Sequence, residues 1–379
     1  MPATTTPRTP RTPRTVFTVG TGEPRSAHER ASQAWVAQRL AAMFGWAFGG
    51  EYEHRDPAVA YPYFVPDETL TAAYAAALGI AGEDDLFGGV VPYGFVASKV
   101  ITHALPSVDS LAPAGWEHGL AAGLDDAVLP GFSVFEAFAI EPAARRLLAL
   151  GGAVRLKEPQ ARGGNGQHLV ADAEALRDLV VALDPDAIRR HGVVLEQHLE
   201  EATTLSVGEL HIGGRRLAYL GTQRQIEDVR GNAVYGGSRL RAVRGGLDAL
   251  EAVAADPAER TALRHARRYD AAVAAAYPGF FASRRNYDVV AGHDAHGMWR
   301  CGVLEQSWRM GGASPAEIVA LAALLAADAP TVLDVSCHES HDPAHVAPRG
   351  AEVHFHDPSA ARGPVLKYAL VEGAHGNPA

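Results

Sequence analysis

The sequence predicts a fold that combines α/β and α+β architecture, with an α/β layer near the N-terminus and an α+β pattern from Val90 onward. Residues 16–19 are β-branched or aromatic, a Gly-Thr-Gly turn follows, and apolar residues with helical spacing cover 31–48. From Val90 onward, strands alternate with helices and with hairpins closed by glycine-rich turns, rather than in a strict βαβ series.

Local signals justify the elements in order. Residues 1–15 carry three Thr-Pro-Arg repeats and predict a disordered basic tail, because repeated proline cannot build a core. Ser26 and Glu29 have the spacing of a helix capping box. Ser314 is expected to cap a later helix, with proline and glutamate in its first turn. The remaining predicted helices cover 142–150 and 172–183, the single strands 153–157, 168–170 and 193–196, and the hairpins 205–212 with 216–222 and 288–291 with 299–305.

Composition narrows the class of protein. The chain has 379 residues, of which 47% are hydrophobic and 21% charged, so it can bury a sizeable core. Two cysteines provide no disulfide framework, and the net charge of −10 argues against nucleic acid as the main partner. The longest apolar run, 318–327, is about half of a membrane span. We expect a cytoplasmic, multi-domain enzyme that binds neither nucleic acid nor membrane.

The first chemical motif combines a lysine with a glycine-rich loop. Lys157 ends an apolar strand, and the loop 161–166 follows it. Glycines allow backbone N–H groups to approach phosphate oxygens closely, and the lysine adds a fixed positive charge. Because the lysine precedes the glycines, this loop would cover a nucleotide as a flap. A plain hairpin turn explains the same residues about equally well.

Two further motifs carry carboxylates. The strand 193–196 runs into an acidic segment that could read an adenine amino group and ribose hydroxyls, although solvated surface glutamates are commoner. Asp288 opens one strand of a predicted hairpin and Glu305 closes the other. Ser307 and Arg309 alternate with Glu305, so the three point to one face of an extended segment. Such an oxygen-lined face suits Mg²⁺ held against phosphates, and Arg309 could stabilise a transferred phosphoryl group. A surface ion pair between Arg309 and Glu305 is the alternative.

In order and spacing these three motifs resemble the ATP-grasp superfamily, over residues from about 90 to about 317. The stretches VVPYGFVASKVITHALP, LPGFS, FFASRRNYDVV and GVLEQSWRMGGAS are similar to an uncharacterised, mainly proteobacterial family of ATP-grasp-like proteins (domain of unknown function). The resemblance implies an N-terminal α/β domain over 16–104, followed by two α+β lobes that clamp ATP. The central lobe, with the glycine-rich flap, is expected over 105–192 and the C-terminal lobe, with the magnesium site, over 193–379.

The resemblance also implies a role for each matching residue. Ser307 departs from the pattern, since most members have asparagine there, and its shorter reach puts the second magnesium position in doubt. The matches are Lys99 and Lys157 for the phosphates, Gly163, Gly164 and Gly166 for the flap, Glu196, Gln197 and Leu199 for adenine, Glu200 or Glu201 for ribose, Asp288 and Glu305 with Ser307 for magnesium, and Arg309 as a catalytic arginine with Lys157.

The activity that the resemblance implies is ADP-forming ligation of a carboxylate to an amine, or to another nucleophile, through an acyl phosphate, with ATP and Mg²⁺ as cofactors. Carboxylase-like or kinase-like phosphoryl transfer is one alternative. A non-catalytic ATP-binding protein is another, for which Ser307 is the best argument. Dimers are common among enzymes of this size, which leaves a homodimer open.

Substrate recognition is the least specified part of the sequence. Arg224, Arg239, Arg284 and Arg285 are candidates to hold a substrate carboxylate, with solvated surface arginines as the alternative for each. Cys337, His338, His341 and His345 are ligand types that suit zinc, but their Pro- and Asp-rich segment lacks a frame to orient them. Lys367 could reach the cleft, although no neighbouring residue indicates it.

Overall fold

The computed structural model describes residues 14–22, 24–53, 59, 61–159, 166–227, 231, 233–326, 331–360 and 363–375. The Thr-Pro-Arg repeats up to residue 13 and the flap glycines Gly163 and Gly164 lie outside the described residues. The predicted basic tail, residues 1–15, is too long, because residues 14 and 15 belong to the folded domain. Arg14 is buried and its guanidinium lies 2.9 Å from the Asp85 carboxylate, and Thr15 begins the first strand.

The N-terminal domain begins with a parallel three-stranded sheet in the order β2-β1-β3. The capping box of Ser26 and Glu29 is confirmed at the start of the first helix. That helix ends at Phe44 and not at residue 48, because Gly45 adopts a left-handed conformation (φ 65°) and terminates it. The elements are β1 (Thr15–Val19), α1 (Ala27–Phe44), β2 (Ala47–Glu51), β3 (Pro62–Pro66), β4 (Leu70–Thr71), α2 (Ala72–Leu78) and β5 (Gly89–Val91).

A short 3₁₀ helix, Lys99–Thr102, and α3 (Gly119–Leu124) connect this domain to the central lobe. The lobe is an antiparallel sheet in the order β6-β9-β7-β8, covered by helices. Its elements are β6 (Gly131–Val134), α4 (Ala137–Leu148), β7 (Val154–Lys157), β8 (Gln167–Val170), α5 (Ala173–Ala182), α6 (Pro185–His191) and β9 (Val193–Gln197).

Two details of the central lobe differ from the sequence prediction. Because β9 pairs with β6 and β7, the lobe extends past residue 192. Helix α4 starts five residues before Pro142, which lies inside the helix. The helix buries an apolar face that includes Ile140 and Leu147, and this packing outweighs the backbone hydrogen bond that proline removes.

The C-terminal lobe is an eight-stranded sheet in the order β15-β14-β10-β11-β12-β16-β18-β17. Both predicted hairpins are confirmed, with longer strands than expected. The cap of α8 is Ala313, and Ser314 is already its first residue. The elements are β10 (Glu200–Ile212), β11 (Arg215–Glu227), β12 (Ala233–Arg244), α7 (Pro257–Ala276), β13 (Phe281–Ala282), β14 (Arg284–His293), β15 (Trp299–Ser307), α8 (Ser314–Leu324), β16 (Val332–Ser340), β17 (Glu352–Asp357) and β18 (Val365–His375).

The large sheet buries both of its faces. One apolar cluster joins α7 to residues such as Val207 and Val289, and a second joins α1 and α8 to residues such as Leu210 and Leu240. Strand β13 pairs with β5, so the C-terminal lobe also adds a strand to a sheet of the N-terminal domain. Within the described residues, no helix is long and apolar enough to cross a membrane.

Candidate functional site

A cavity of about 550 Å³ lies between the N-terminal domain, the segment around the 3₁₀ helix and the large sheet. Five of the residues predicted to bind phosphate or magnesium or to act in catalysis line it together, although they come from separate parts of the chain: Lys99, Asp288, Glu305, Ser307 and Arg309.

The two acidic candidates face each other on adjacent strands. Asp288 on β14 and Glu305 on β15 are direct partners in the antiparallel register, which brings their side chains to one face. Oδ1 of Asp288 accepts hydrogen bonds from Gln223 (2.7 Å), Asn286 (3.0 Å) and Ser206 (3.2 Å). Burial, and then the charge of Glu305, raise the pKa of Asp288 above its ordinary value. Two carboxylates held this close are stabilised by a cation between them.

Lys99 supplies a positive charge beside this carboxylate pair. Its Nζ lies 3.1 Å from Oε2 of Glu305, and the lysine is almost wholly buried whereas the Glu305 side chain is 36% exposed. Burial favours a lysine that stays paired with an anion, so the ammonium is held at the cavity wall where a phosphate oxygen could take part in the contact.

Asn286 is a member of this face that the sequence analysis missed. It lies opposite Ser307 in the β14–β15 register, and its Oδ1 is 2.8 Å from the Tyr219 hydroxyl. Asn286, Asp288, Glu305 and Ser307 thus place four oxygen-bearing side chains on the ends of two strands. The available signal was spacing, because Asn286 is two residues before Asp288 and shares its face.

Arg309 contacts the N-terminal domain from the same cavity. Its Nε lies 3.4 Å from the Glu68 carboxylate, and it donates a hydrogen bond of 2.8 Å to the Met310 carbonyl oxygen. The side chain is partly exposed, so it presents a positive charge to the cavity while a carboxylate of another domain orients it.

Lys157 occupies a different environment. Its Nζ donates to Oε1 of Glu196 at 2.7 Å, and His103 Nε2 lies 3.1 Å from the other carboxylate oxygen. All three side chains are almost wholly buried. Lys157 and His103 outweigh the effect of burial and lower the pKa of Glu196 to about 2. Glu196, predicted to read adenine, therefore binds a lysine and a histidine through its side chain.

The other predicted nucleotide contacts lie outside the lining of the 550 Å³ cavity. Gln197 and Leu199 are buried, and Gln197 Oε1 has no hydrogen-bond partner within the described part of the chain. Glu200 and Glu201 are exposed at the start of β10, where Glu201 has φ 49°. Gly166, the one flap glycine described, has φ 59° and directly precedes β8.

The four candidate substrate arginines do not form one site. Arg284 lines the cavity, but its buried guanidinium is bidentate to Glu317, at 2.8 Å and 2.6 Å, and donates to the Ser307 carbonyl oxygen at 3.1 Å. Arg285 points to the opposite face of β14 and pairs with Asp270 at 3.1 Å. Arg224 contacts the Gly236 carbonyl oxygen at 3.0 Å. Protein carboxylates already bind Arg284 and Arg285, so the role of these arginines in holding substrate stays a prediction.

Arg224 and Arg239 lie apart from the cavity lining, and Arg239 is exposed. The candidate zinc ligands around Cys337 likewise do not form one site, because each has a different partner. Cys337 donates to the Gly312 carbonyl oxygen at 3.2 Å, His341 lies 3.3 Å from Glu339, and His345 lies 3.0 Å from the Tyr368 hydroxyl. Among the described residues, no group of three or more His, Cys, Asp or Glu side chains could hold a metal ion.

The far end of the cavity holds polar residues that sequence reasoning did not assign. His28 and Ser32 come from α1, Glu339 from β16, His354 from β17 and Lys367 from β18, and all five line the cavity. Lys367 reaches the cleft as the sequence analysis allowed. We call these five residues the distal cluster.

Comparison with known proteins agrees with this architecture. A family model described as "Protein of unknown function (DUF3182)" matches residues 16–369, and no curated protein matches the chain. Among solved structures, N5-carboxyaminoimidazole synthetase from Staphylococcus aureus, complexed with ADP, is similar with a TM-score of 0.56 at 11% identity, over 95% of this chain and 93% of the other. The D-alanine–D-alanine ligase of Bacillus anthracis has a TM-score of 0.47 at 10% identity, over 79% and 88%. The chain has the ATP-grasp fold, as the sequence predicted.

Proposed function

The chain belongs to the protein family described as DUF3182, a family with the ATP-grasp fold, and from this premise we propose that it is an ATP-dependent ligase. It joins a carboxylate to an amine, or to another nucleophile, through an acyl phosphate and forms ADP. The proposal rests on the site and on the sequence resemblance together, since the structural likeness at 11% identity concerns the fold.

The observation that carries the proposal is the juxtaposition of Lys99, Asp288 and Glu305 in one cavity. Burial raises the pKa of Asp288 and the charge of Glu305 raises it further, and a divalent cation between the two carboxylates relieves both effects. Asp288, Glu305 and Ser307 would hold Mg²⁺, which supplies charge neutralisation at the phosphates of ATP. Asn286 and Gln223 orient Asp288 by their hydrogen bonds.

The chain's own cations complete the site. Lys99 is positioned to bind phosphate oxygens, and Arg309 stabilises the negative charge that develops on the transferred phosphoryl group. Lys157 lies at the end of β7, directly before the loop predicted to close over the nucleotide. Its contact with a phosphate would require the ammonium to be shared between that phosphate and Glu196.

The test compares ATP turnover in Lys99→Ala and Glu305→Ala with the parent protein. ADP release is measured with MgATP and a panel of carboxylates and amines. Each substitution is expected to lower turnover by about a hundredfold or more, because each removes a charge that acts on the phosphates. Arg177→Ala, on the exposed side of α5, is the matched control and keeps full turnover.

The products distinguish the proposal from its alternatives. Mass spectrometry of a condensed product with one ADP supports the ligase, whereas a phosphorylated product without condensation indicates a kinase. Ser307 favours the second candidate, non-catalytic ATP binding, because its hydroxyl reaches less far than an amide. Tight MgATP binding without ADP release across the whole panel would establish that candidate instead.

A further inference from the structure

The distal cluster lies far from the metal-binding carboxylates in the order of the large sheet. Asp288 and Glu305 are on β14 and β15, whereas Glu339 and Lys367 are on β16 and β18. Three strands, β10, β11 and β12, lie between these two groups, yet both groups line the same cavity. The cavity therefore has room for a second molecule, or for the far end of one, beyond the phosphates.

Opposite charges meet at the wall of this distal end. Lys367 Nζ lies 2.7 Å from Glu339 Oε2, and each side chain retains 14% exposure. His341 approaches the other oxygen of Glu339 at 3.3 Å, from outside the cavity lining. A partly exposed pair of this kind can exchange its mutual contact for contacts with a ligand, because both groups remain accessible from the cavity.

Two histidines beside this pair are neutral near pH 7. Burial, and then the charge of Lys367, lower the pKa of His354 to about 3, and its Nδ1 lies 2.9 Å from Ser32 Oγ. Burial and Lys367 also lower the pKa of His28. His28 Nδ1 is buried and has no hydrogen-bond partner within the described part of the chain. A buried nitrogen on a cavity wall without a protein partner has its hydrogen bond available for a water molecule or a ligand atom in the cavity.

The charge balance limits what can bind here. A purely anionic group would face Glu339 and the nearby Glu29, and a purely cationic one would face Lys367. A molecule that carries both charges pairs with both walls and leaves the neutral imidazoles to hydrogen-bond its polar atoms.

We propose that the distal cluster binds one substrate as an amino acid, with its α-carboxylate on Lys367 and its α-ammonium on Glu339. The inference rests on the ligase function proposed above, since it names the class of one of the two joined molecules.

The test is direct binding to the full chain, measured by calorimetry with the standard L- and D-amino acids. Each amino acid that binds is compared with the analogue lacking its α-carboxylate and with the analogue lacking its α-amine. For glutamate these are 4-aminobutyrate and glutarate, and for lysine they are cadaverine and 6-aminohexanoate. Both truncated analogues are expected to bind about tenfold more weakly or worse, because each loses a charge-assisted contact.

Variants locate the contact. Lys367→Met and Glu339→Gln should each weaken amino-acid binding about tenfold and leave MgATP affinity unchanged, whereas Arg177→Gln changes neither. If Lys367→Met fails to fold, the near-isosteric Glu339→Gln and the truncated analogues still decide. Normal MgATP binding without binding of any amino acid, or equal binding of an amino acid and its truncated analogues, overturns the inference while leaving the ligase proposal intact. If the parent protein binds an amino acid selectively but shows no MgATP turnover, the result contradicts the proposed ligase function and leaves the distal site supported.

Discussion

Two lysine–glutamate pairs of similar geometry serve different purposes in this molecule. Lys157 and Glu196 lie 2.7 Å apart inside the central lobe, where His103 completes the contact and all three side chains are shielded from solvent. Lys99 and Glu305 lie 3.1 Å apart at the wall of the cavity, with a third of the Glu305 side chain exposed. The first pair is a closed part of the core, whereas the second is open to a ligand.

The two pairs differ in how strongly each charged group depends on its partner. A sealed pair must satisfy its own charges, since removal of one partner leaves the other in a medium that solvates it poorly. An open pair can exchange its partner for a phosphate or a cation at little cost. We therefore expect the central pair to dominate stability and the cavity pair to dominate activity.

The largest stability difference is expected between Glu196→Ala and Glu305→Ala. Glu196→Ala strands the buried ammonium of Lys157 and should lower the free energy of unfolding by about 3–5 kcal/mol. Glu305→Ala should change it by about 1 kcal/mol or less, because it also relieves the repulsion on Asp288. Urea unfolding of both variants measures the contrast. Equal losses would show that the two pairs do not differ as described.

Acid should weaken the sealed pair within a defined pH window. The pKa of Glu196 is about 2 in the folded chain, against 4.5 as its ordinary value. Its contribution, about 3 kcal/mol, is complete above pH 4.5 and is lost as the pH falls from 4.5 through 2. The difference in unfolding free energy between the parent and Glu196→Gln, followed across this window, isolates the effect. A difference that stays constant with pH would contradict the assigned ionisation.

A smaller effect is expected at His103, whose ring contacts the same carboxylate. His103→Leu keeps much of the volume and removes one hydrogen bond, so it should cost about 1.5–3 kcal/mol in unfolding free energy. The Lys157–Glu196 contact remains in this variant. A loss as large as that of Glu196→Ala would show that the histidine, and not the lysine, is the main partner.

The sequence correctly predicted several elements of the fold that depend on residues close together in the chain. The capping box of Ser26 and Glu29 and both hairpins of the C-terminal lobe depend on short-range patterns, and all three are confirmed. The convergence of Asp288 and Glu305 followed from hairpin register. The predicted end of α1 is wrong, because Gly45 terminates the helix although the apolar pattern continues past it.

The sequence was less informative about the parts of the site that are formed by residues far apart in the chain. Adjacent arginines on a strand point to opposite faces, so Arg284 and Arg285 could not both face the cavity. The partner of Arg284 is Glu317, 33 residues further along on α8, and its burial depends on packing that no local pattern encodes. The distal cluster gathers residues from both ends of the chain, which sequence spacing cannot reveal.

The pairing of β13 with β5 determines which parts of the molecule share a sheet. It joins the C-terminal lobe to the N-terminal domain through a shared sheet, while the strands of the central lobe pair, within the described residues, with one another alone. In strand pairing, the N-terminal domain and the C-terminal lobe are thus connected, and the central lobe has a sheet of its own. Only residues 198–199 separate β9 of the central lobe from β10 of the C-terminal lobe, so the residues predicted to hold the nucleotide base lie at the joint between two separately paired sheets.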